Sequence, residues 1–180
     1  MSYQFKFEEE VQNEIEPIPF ATQFRMDSIG VRIRPETWNV LSKETRLLFS
    51  HLSVKTDKDK ECYKTYLLYL LKRRRRTMFI MTDEQAERER SEWENLTYVP
   101  LPVYKMIVDL DYTLSLRDWI KMNDLNRYVL VKLSKGEHTK DYLNKALMEL
   151  LGAESKITAW KTETRNYSMS LNPSFSQKLA

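Results

Sequence analysis

Apolar residues recur along this chain at intervals of three and four, the spacing of a helix that turns one face to a core. Behind Pro19 stand Phe20 and Phe24, and behind Pro35 stand Trp38 and Leu41. Ser42 precedes the set Leu47, Leu48, His51 and Leu52, and Thr56 precedes Cys62, Tyr63, Tyr66, Leu67 and Leu70. Each set predicts a helix with those residues on its buried side. The leading residues suit helix starts, because proline is preset for the first turn and a Ser or Thr hydroxyl accepts from a backbone N–H that has no partner inside the helix. Gly30 follows the first helix where a left-handed C-terminal cap needs a residue tolerant of positive φ. The alternation of Val31 and Ile33 then predicts a short extended stretch.

The same order of signals returns 81 residues later, where residues 18 to 70 align without a gap on residues 99 to 151. Pro19, Trp38, Arg46, Leu52, Ser53, Lys64 and Leu70 meet Pro100, Trp119, Arg127, Leu133, Ser134, Lys145 and Leu151. Apolar positions coincide as well, among them Met26 with Ile107, Ile29 with Leu110, Leu48 with Val129 and Leu67 with Met148. Asp111 stands in the place of Gly30, and Asp is among the few other residues that enter left-handed backbone readily. Ser115 caps a helix with Trp119, and Asn123 caps one with Tyr128, Val129, Lys132 and Leu133. A last helix from near Thr139 carries Leu143, Leu147 and Leu150 until Gly152 ends it.

A period of half the chain, with apolar positions held while polar ones drift, predicts an all-α fold of two tandem helical repeats, each of about three to four helices. The copies are expected to pack as one domain over residues 1 to 152 with a pseudo-twofold relation, because either alone is too small to bury its apolar face well. Trp38, Trp119, Leu52 and Leu133 are the expected repeat core, with the two tryptophans packed between the copies. Thr82 and Gln85 have the spacing of a capping box and predict a connecting helix near 83–96 at a bridging or surface position. From 153 to 180 Ser, Asn and Thr replace the periodic apolar residues, and this polar tail is expected to be weakly structured.

Composition agrees with that class, since 3 glycines and 6 prolines are too few turn residues for a sandwich or barrel. A hydrophobic content of 42% excludes an intrinsically disordered chain. The lead MSYQFKFEEEVQNE has neither a basic nor an apolar signal region, and the longest apolar stretch, Tyr66 to Leu71, is too short to span a bilayer. A cytoplasmic protein with no membrane partner is therefore expected. Cys62, the single cysteine, reads as a small half-buried hydrophobe in a reducing compartment.

Candidate chemistry is sparse. No phosphate loop, zinc pattern, nucleophile elbow or dinucleotide fingerprint occurs. His138 in GEHTKDY lacks converging partners in the sequence, and His51 belongs to a helix stripe. The close carboxylate pairs, Asp109 with Asp111 and Glu14 with Glu16, have no nucleophile beside them. The conspicuous electrostatic feature is KRRRR, Lys72 to Arg76, in a chain of net charge only +3. A helix C-terminus favours cations, which accounts for part of the run. Four arginines exceed that need, and since arginine pairs bidentately with carboxylate or phosphate, Arg73, Arg74, Arg75 and Arg76 with the following Phe79 form the candidate partner-binding surface.

Two long segments carry a resemblance. FKFEEEVQNEIEPIPFATQFRMDSIGVRIRPETWNVLSKETRLLF has an aromatic and acidic lead, then Ile-Pro, a basic helix, a Gly and a Trp. With the later YTLSLRDWIKMNDLNRYVLVKLSKGEHTKDYLNKALMELL it resembles the opening and closing blocks of the nitrate reductase-associated protein family, in that order, over residues 5 to about 152. The family is known mainly from cyanobacteria and other bacteria, and the resemblance implies one small domain and an accessory or assembly protein without a reaction of its own. Its implied protein partner is a cytoplasmic redox enzyme, the molybdenum-dependent nitrate reductase. Where family members often carry cysteines this chain has Pro17 and Val54, so no metal or cluster role is carried to those positions. No catalytic residue, cofactor or metal is expected. The alternative is a nucleic-acid-binding regulator using the KRRRR run, since short helices joined by tight turns beside an arginine cluster are the parts of a helix-turn-helix.

Overall fold

Local capping signals place the helix ends. The computed structural model describes residues 5–9, 17–73 and 78–156. Among them the first half runs α1 (Phe20–Ser28), β1 (Val31–Arg32), α2 (Pro35–Asn39), α3 (Lys43–His51) and α4 (Asp57–Arg73). Then come β2 (Phe79–Ile80) and the connecting helix α5 (Asp83–Glu94). The second half has α6 (Leu101–Asp109), α7 (Leu116–Lys121), α8 (Asp124–Lys135) and α9 (Lys140–Leu151). The architecture is mostly helical, with one small sheet in which β1 and β2 pair antiparallel, Val31 opposite Ile80. The sequence reading anticipated the extended stretch at Val31 and missed its partner strand.

Ser42, Thr82, Ser115, Asn123 and Thr139 each accept a backbone N–H from three residues on, as their positions predicted. Gly30, Asp111 and Gly152 take φ of 70°, 60° and 85° at the ends of α1, α6 and α9. Helices α1, α2 and α3 begin 81 residues before α6, α7 and α8. Beyond that point the gapless frame fails: α8 has 12 residues against 9 in α3. The next capping threonines, Thr56 and Thr139, are 83 residues apart. The pairing of Leu67 with Met148 is therefore wrong, since Leu67 is buried and Met148 is exposed.

The buried apolar residues form two clusters where a single shared core was expected. Trp38, Met26, Val31, Phe49, Tyr63, Leu67 and Leu71 make the first, with Leu52 half-buried against it. Trp93, Ile107, Trp119, Tyr128, Leu133 and Leu147 belong to the second. The two tryptophans thus pack within their own halves and not against each other. α1 connects the clusters: Phe20 and Phe24 join the second and Met26 the first. Arg127 braces the second half by donating to Trp93 O at 2.7 Å and to the carbonyls of Trp119 and Met122. It ties the ends of α5 and α7 to α8.

Three expectations of burial are corrected. Leu47, Leu48 and His51 form the predicted stripe on α3, yet all are exposed, and only Phe49 is fully buried. On α4 the buried line is Tyr63, Leu67 and Leu71, so Cys62 and Tyr66 face solvent. The start of the polar tail is docked: Ala153–Ser155 is a 3-10 turn, and Lys156 bridges to Tyr112. Residues 157–180 lie outside the described ones.

Trp119 Nε1 donates to Asn95 O at 2.8 Å, whereas Trp38 Nε1 is buried without a partner. Replacing Trp119 removes a hydrogen bond, while replacing Trp38 removes an unsatisfied donor. Trp38→Phe is expected to cost about 1 kcal/mol less than Trp119→Phe. Urea unfolding of the two variants tests this, and a larger loss at Trp38 contradicts it.

Candidate functional site

The polar centre of the molecule lies where α1 meets the second half. Asp27 of α1 is 4% exposed, and three side chains converge on its carboxylate. Arg32 of β1 grips both oxygens, Nε on Oδ1 at 2.9 Å and Nη2 on Oδ2 at 3.0 Å. From α8, Tyr128 donates its hydroxyl to Oδ2 at 2.9 Å and Lys132 Nζ stands 2.8 Å from the same atom. Glu89 of α5 pairs with Arg32 and lies 3.8 Å from Lys132. Two carboxylates and two cations therefore balance, and α1, β1, α5 and α8 are joined through five side chains.

Burial pushes the Asp27 carboxyl up, but the hydrogen bonds and charges of Arg32 and Lys132 outweigh it and hold the group below the usual carboxylate range. Burial and the neighbouring Asp27 charge raise the Tyr128 phenol well above its ordinary value, so it remains a neutral donor. A second buried carboxylate closes the N-terminus of α1. Pro19 has no side-chain acceptor for this end, and Glu8 takes that place by accepting from Phe20 N at 2.7 Å and Phe5 N at 3.0 Å. Burial raises the Glu8 carboxyl despite those two bonds.

A groove runs between these two centres. One part, about 220 Å³, is lined by Pro17, Ile18, Gln23 and Ile33 with Asp27, Arg32 and Lys132 at its base. Past Lys132 it continues into a space of about 650 Å³ bordered by Glu8, Glu137, His138, Thr139 and Tyr142. His138 stacks on Tyr142 with ring centroids 5.2 Å apart, and its burial lowers its pKa, which keeps the imidazole neutral at pH 7. Among the described residues no hydrogen bond joins His138 to Glu8 or Glu137, and no group of three His, Cys, Asp or Glu is placed to hold a metal ion. Arg32 and Lys132 are already matched by Asp27 and Glu89, and the larger part of the groove adds the carboxyls of Glu8 and Glu137.

The residues proposed for partner binding lie elsewhere. Arg73 is the exposed last residue of α4, while Arg74, Arg75 and Arg76 lie outside the described residues, as do Glu14 and Glu16. Phe79 is 53% exposed on β2 beside exposed Ile80, and Met81 is buried. Tyr66 and Tyr69 are exposed on α4 at the helical spacing that leads to Arg73. Asp109 and Asp111 are exposed, the latter with the left-handed backbone of a helix cap. No described helix is long and apolar enough to cross a membrane.

Sequence reasoning missed Asp27, Arg32, Glu89, Lys132 and Tyr128 as a group. A signal existed: Lys132 interrupts the apolar stripe of α8, and Asp27 falls in the 81-residue frame on apolar Val108. Two unexpected opposite charges on otherwise apolar faces are what a buried ion pair leaves in a sequence.

Asp27→Asn leaves Arg32 and Lys132 with Glu89 alone and is expected to cost about 3 kcal/mol, with Tyr128→Phe costing about 1 kcal/mol. Because the Asp27 pKa is depressed, its contribution is complete above about pH 4 and is lost as pH falls through the lower folded value. Denaturant unfolding from pH 7 to 2 should show the gap between wild type and Asp27→Asn closing only in that acid window. A gap that is constant across the range overturns the assignment.

No curated protein and no solved structure matches the chain. A family model described as conserved nitrate reductase-associated protein matches residues 4–150, and so takes in Glu8, the Asp27 network, the buried residues of both clusters and α9 up to its last residue. The chain belongs to the nitrate reductase-associated protein family.

Proposed function

We propose that the chain is a non-enzymatic accessory or assembly protein that binds a cytoplasmic redox enzyme, by family a molybdenum-dependent nitrate reductase. Its fold is read as two tandem copies of one helical unit, 18–70 and 99–151, with α5 between them. The shared helix starts and the matched left-handed residues Gly30 and Asp111 support the tandem reading. The extra length of α8 limits it to the first three helices of each copy.

The observation that carries the binding role is the exposure of Phe79 and Ile80, which follow the arginine run after two residues. An aromatic and an aliphatic side chain held on a short strand, with Met81 rooted in the protein, present an anchor of the kind that fills a pocket on a partner. Arg73 and the exposed Tyr66 and Tyr69 extend this surface along α4. Its chemistry fits an apolar pocket rimmed by carboxylates, since arginine pairs with them bidentately.

Co-purification of the full chain with nitrate reductase subunits tests the reading. Phe79→Ala is expected to weaken the complex about tenfold, and Arg73→Glu to weaken it and reduce its salt dependence. An affinity unchanged by both variants removes this surface from the account. Steeply salt-dependent binding to duplex DNA, lost on reversing the arginine charges, with no capture of the enzyme, would favour the nucleic-acid reading instead.

A further inference from the structure

Arg90 of α5 is half-buried, yet among the described residues no carboxylate, carbonyl or hydroxyl meets its guanidinium. Arg32, Arg127 and Lys132, the cations that bind the halves together, all have carboxylate partners. A guanidinium drawn from water without a counter-charge is costly, so its position calls for an anion. Arg90 borders two adjoining cavities, of about 550 and 190 Å³, which share Ser28, Lys60 and Arg90 as a common wall. The larger is closed by Phe24 of α1, Val54 and Lys55 ahead of α4, and Leu125 of α8. It lies over the seam of the molecule, since Val54 packs on the first apolar cluster and Phe24 and Leu125 on the second.

The charges of the two cavities differ. Lys55, Lys60 and Arg90 line the larger one, with the carboxylates of Glu94 and Asp124. Asp124 is spent on Arg127. Lys60 reaches Asp57 at 3.7 Å, but that carboxylate is fully exposed and such a pair holds little. Three cations against the one unmatched carboxylate of Glu94 leave a surplus of positive charge. In the smaller cavity Lys60, Lys64 and Arg90 meet Asp57, Glu61 and Asp83, so the charges there balance. A dianion is thereby directed to the larger space. We propose that the cavity between α1, α4, α5 and α8 binds a small phosphorylated molecule, its phosphate held by Arg90 and Lys60 and its body against Phe24, Val54 and Leu125. Arginine supplies two parallel N–H donors to phosphate oxygens, and lysine adds a point charge. The volume falls in the range of about 300–1,000 Å³ common to small-molecule sites, which leaves room for more than a bare phosphate. Because both halves line the cavity, the ligand stabilises their joint by mass action. The proposal is independent of the nitrate reductase partner and of Phe79.

Calorimetric and phosphorus NMR titration of the full chain at constant ionic strength tests this, with inorganic phosphate and phenyl phosphate as probes. Inorganic phosphate should bind with a Kd on the order of 1 mM, and phenyl phosphate about tenfold more tightly because its ring buries apolar surface. Arg90→Gln is expected to weaken both about tenfold and Lys60→Gln about threefold. Glu94→Gln should tighten both about threefold, a gain that a misfolded variant cannot produce. Lys105→Gln, the same charge change on exposed α6, and Lys64→Gln in the smaller cavity should each shift affinity less than about twofold. No binding of either probe up to about 20 mM overturns the proposal. A loss on Lys105→Gln equal to that on Arg90→Gln also overturns it, by showing a general attraction of anions to the chain. A loss on Lys64→Gln as large as that on Lys60→Gln overturns the placement in the larger cavity. Phenyl phosphate binding no tighter than inorganic phosphate overturns it in favour of a free inorganic anion. Capture of nitrate reductase subunits is read separately, so the two readings fail independently.

Discussion

A carboxylate removed from water must be met by cations and donors or give up its charge. Asp27 meets that requirement from three directions, and the placement of the surrounding elements follows. Gly30 turns the chain at the end of α1 so that Arg32, five residues on, can return to grip both oxygens. Lys132 and Tyr128, one helical turn apart on α8, approach from the second half. One carboxylate facing two cations would leave excess positive charge, and Glu89 of α5 removes it. The network thus fixes α1 between two apolar clusters and explains why α5, polar by composition, is held on the body of the protein.

Features decided within a few residues were legible in the sequence, and features decided across the chain were not. Ser42, Thr82, Ser115, Asn123 and Thr139 cap their helices through bonds that span three residues, so residue type and spacing suffice to find them. Pro19 carries no such signal, because the acceptor for α1 is Glu8, brought in from a separate turn packed on α9. The Asp27 network spans 101 residues from Tyr128, a separation at which polar residues in a sequence say nothing of each other. Periodicity likewise identifies the stripe of Leu47, Leu48 and His51 as one helix face, yet contains no information on whether anything lies upon it. The same limit explains Cys62 and Tyr66, which share the apolar side of α4 in the sequence and stand at its edge in the fold.

The two halves differ because α5 occurs once. On α8 it packs Trp93 edge to face on Tyr128 at 4.9 Å and accepts the guanidinium of Arg127 at the Trp93 carbonyl. Lys135, in the extra length that α8 has over α3, pairs with Glu92. The additional residues that break the gapless frame therefore lie where α5 is tied down. α3 has Arg46 in the place of Arg127 but no helix equivalent to α5 upon it among the described residues, and its apolar face stays in solvent. A longer α8 and the connecting helix α5 packed on it distinguish the second half from the first, with the charged joint at Asp27 between them. Large apolar residues stand exposed on both halves, Leu47, Leu48, Tyr66 and Tyr69 on α3 and α4 and Leu101, Tyr104, Val108, Leu116 and Ile120 on α6 and α7, with Phe79 and Ile80 on β2 between them in the chain. Because the five side chains of the Asp27 network belong to α1, β1, α5 and α8, Phe79 and Ile80 of β2 can face solvent without weakening it.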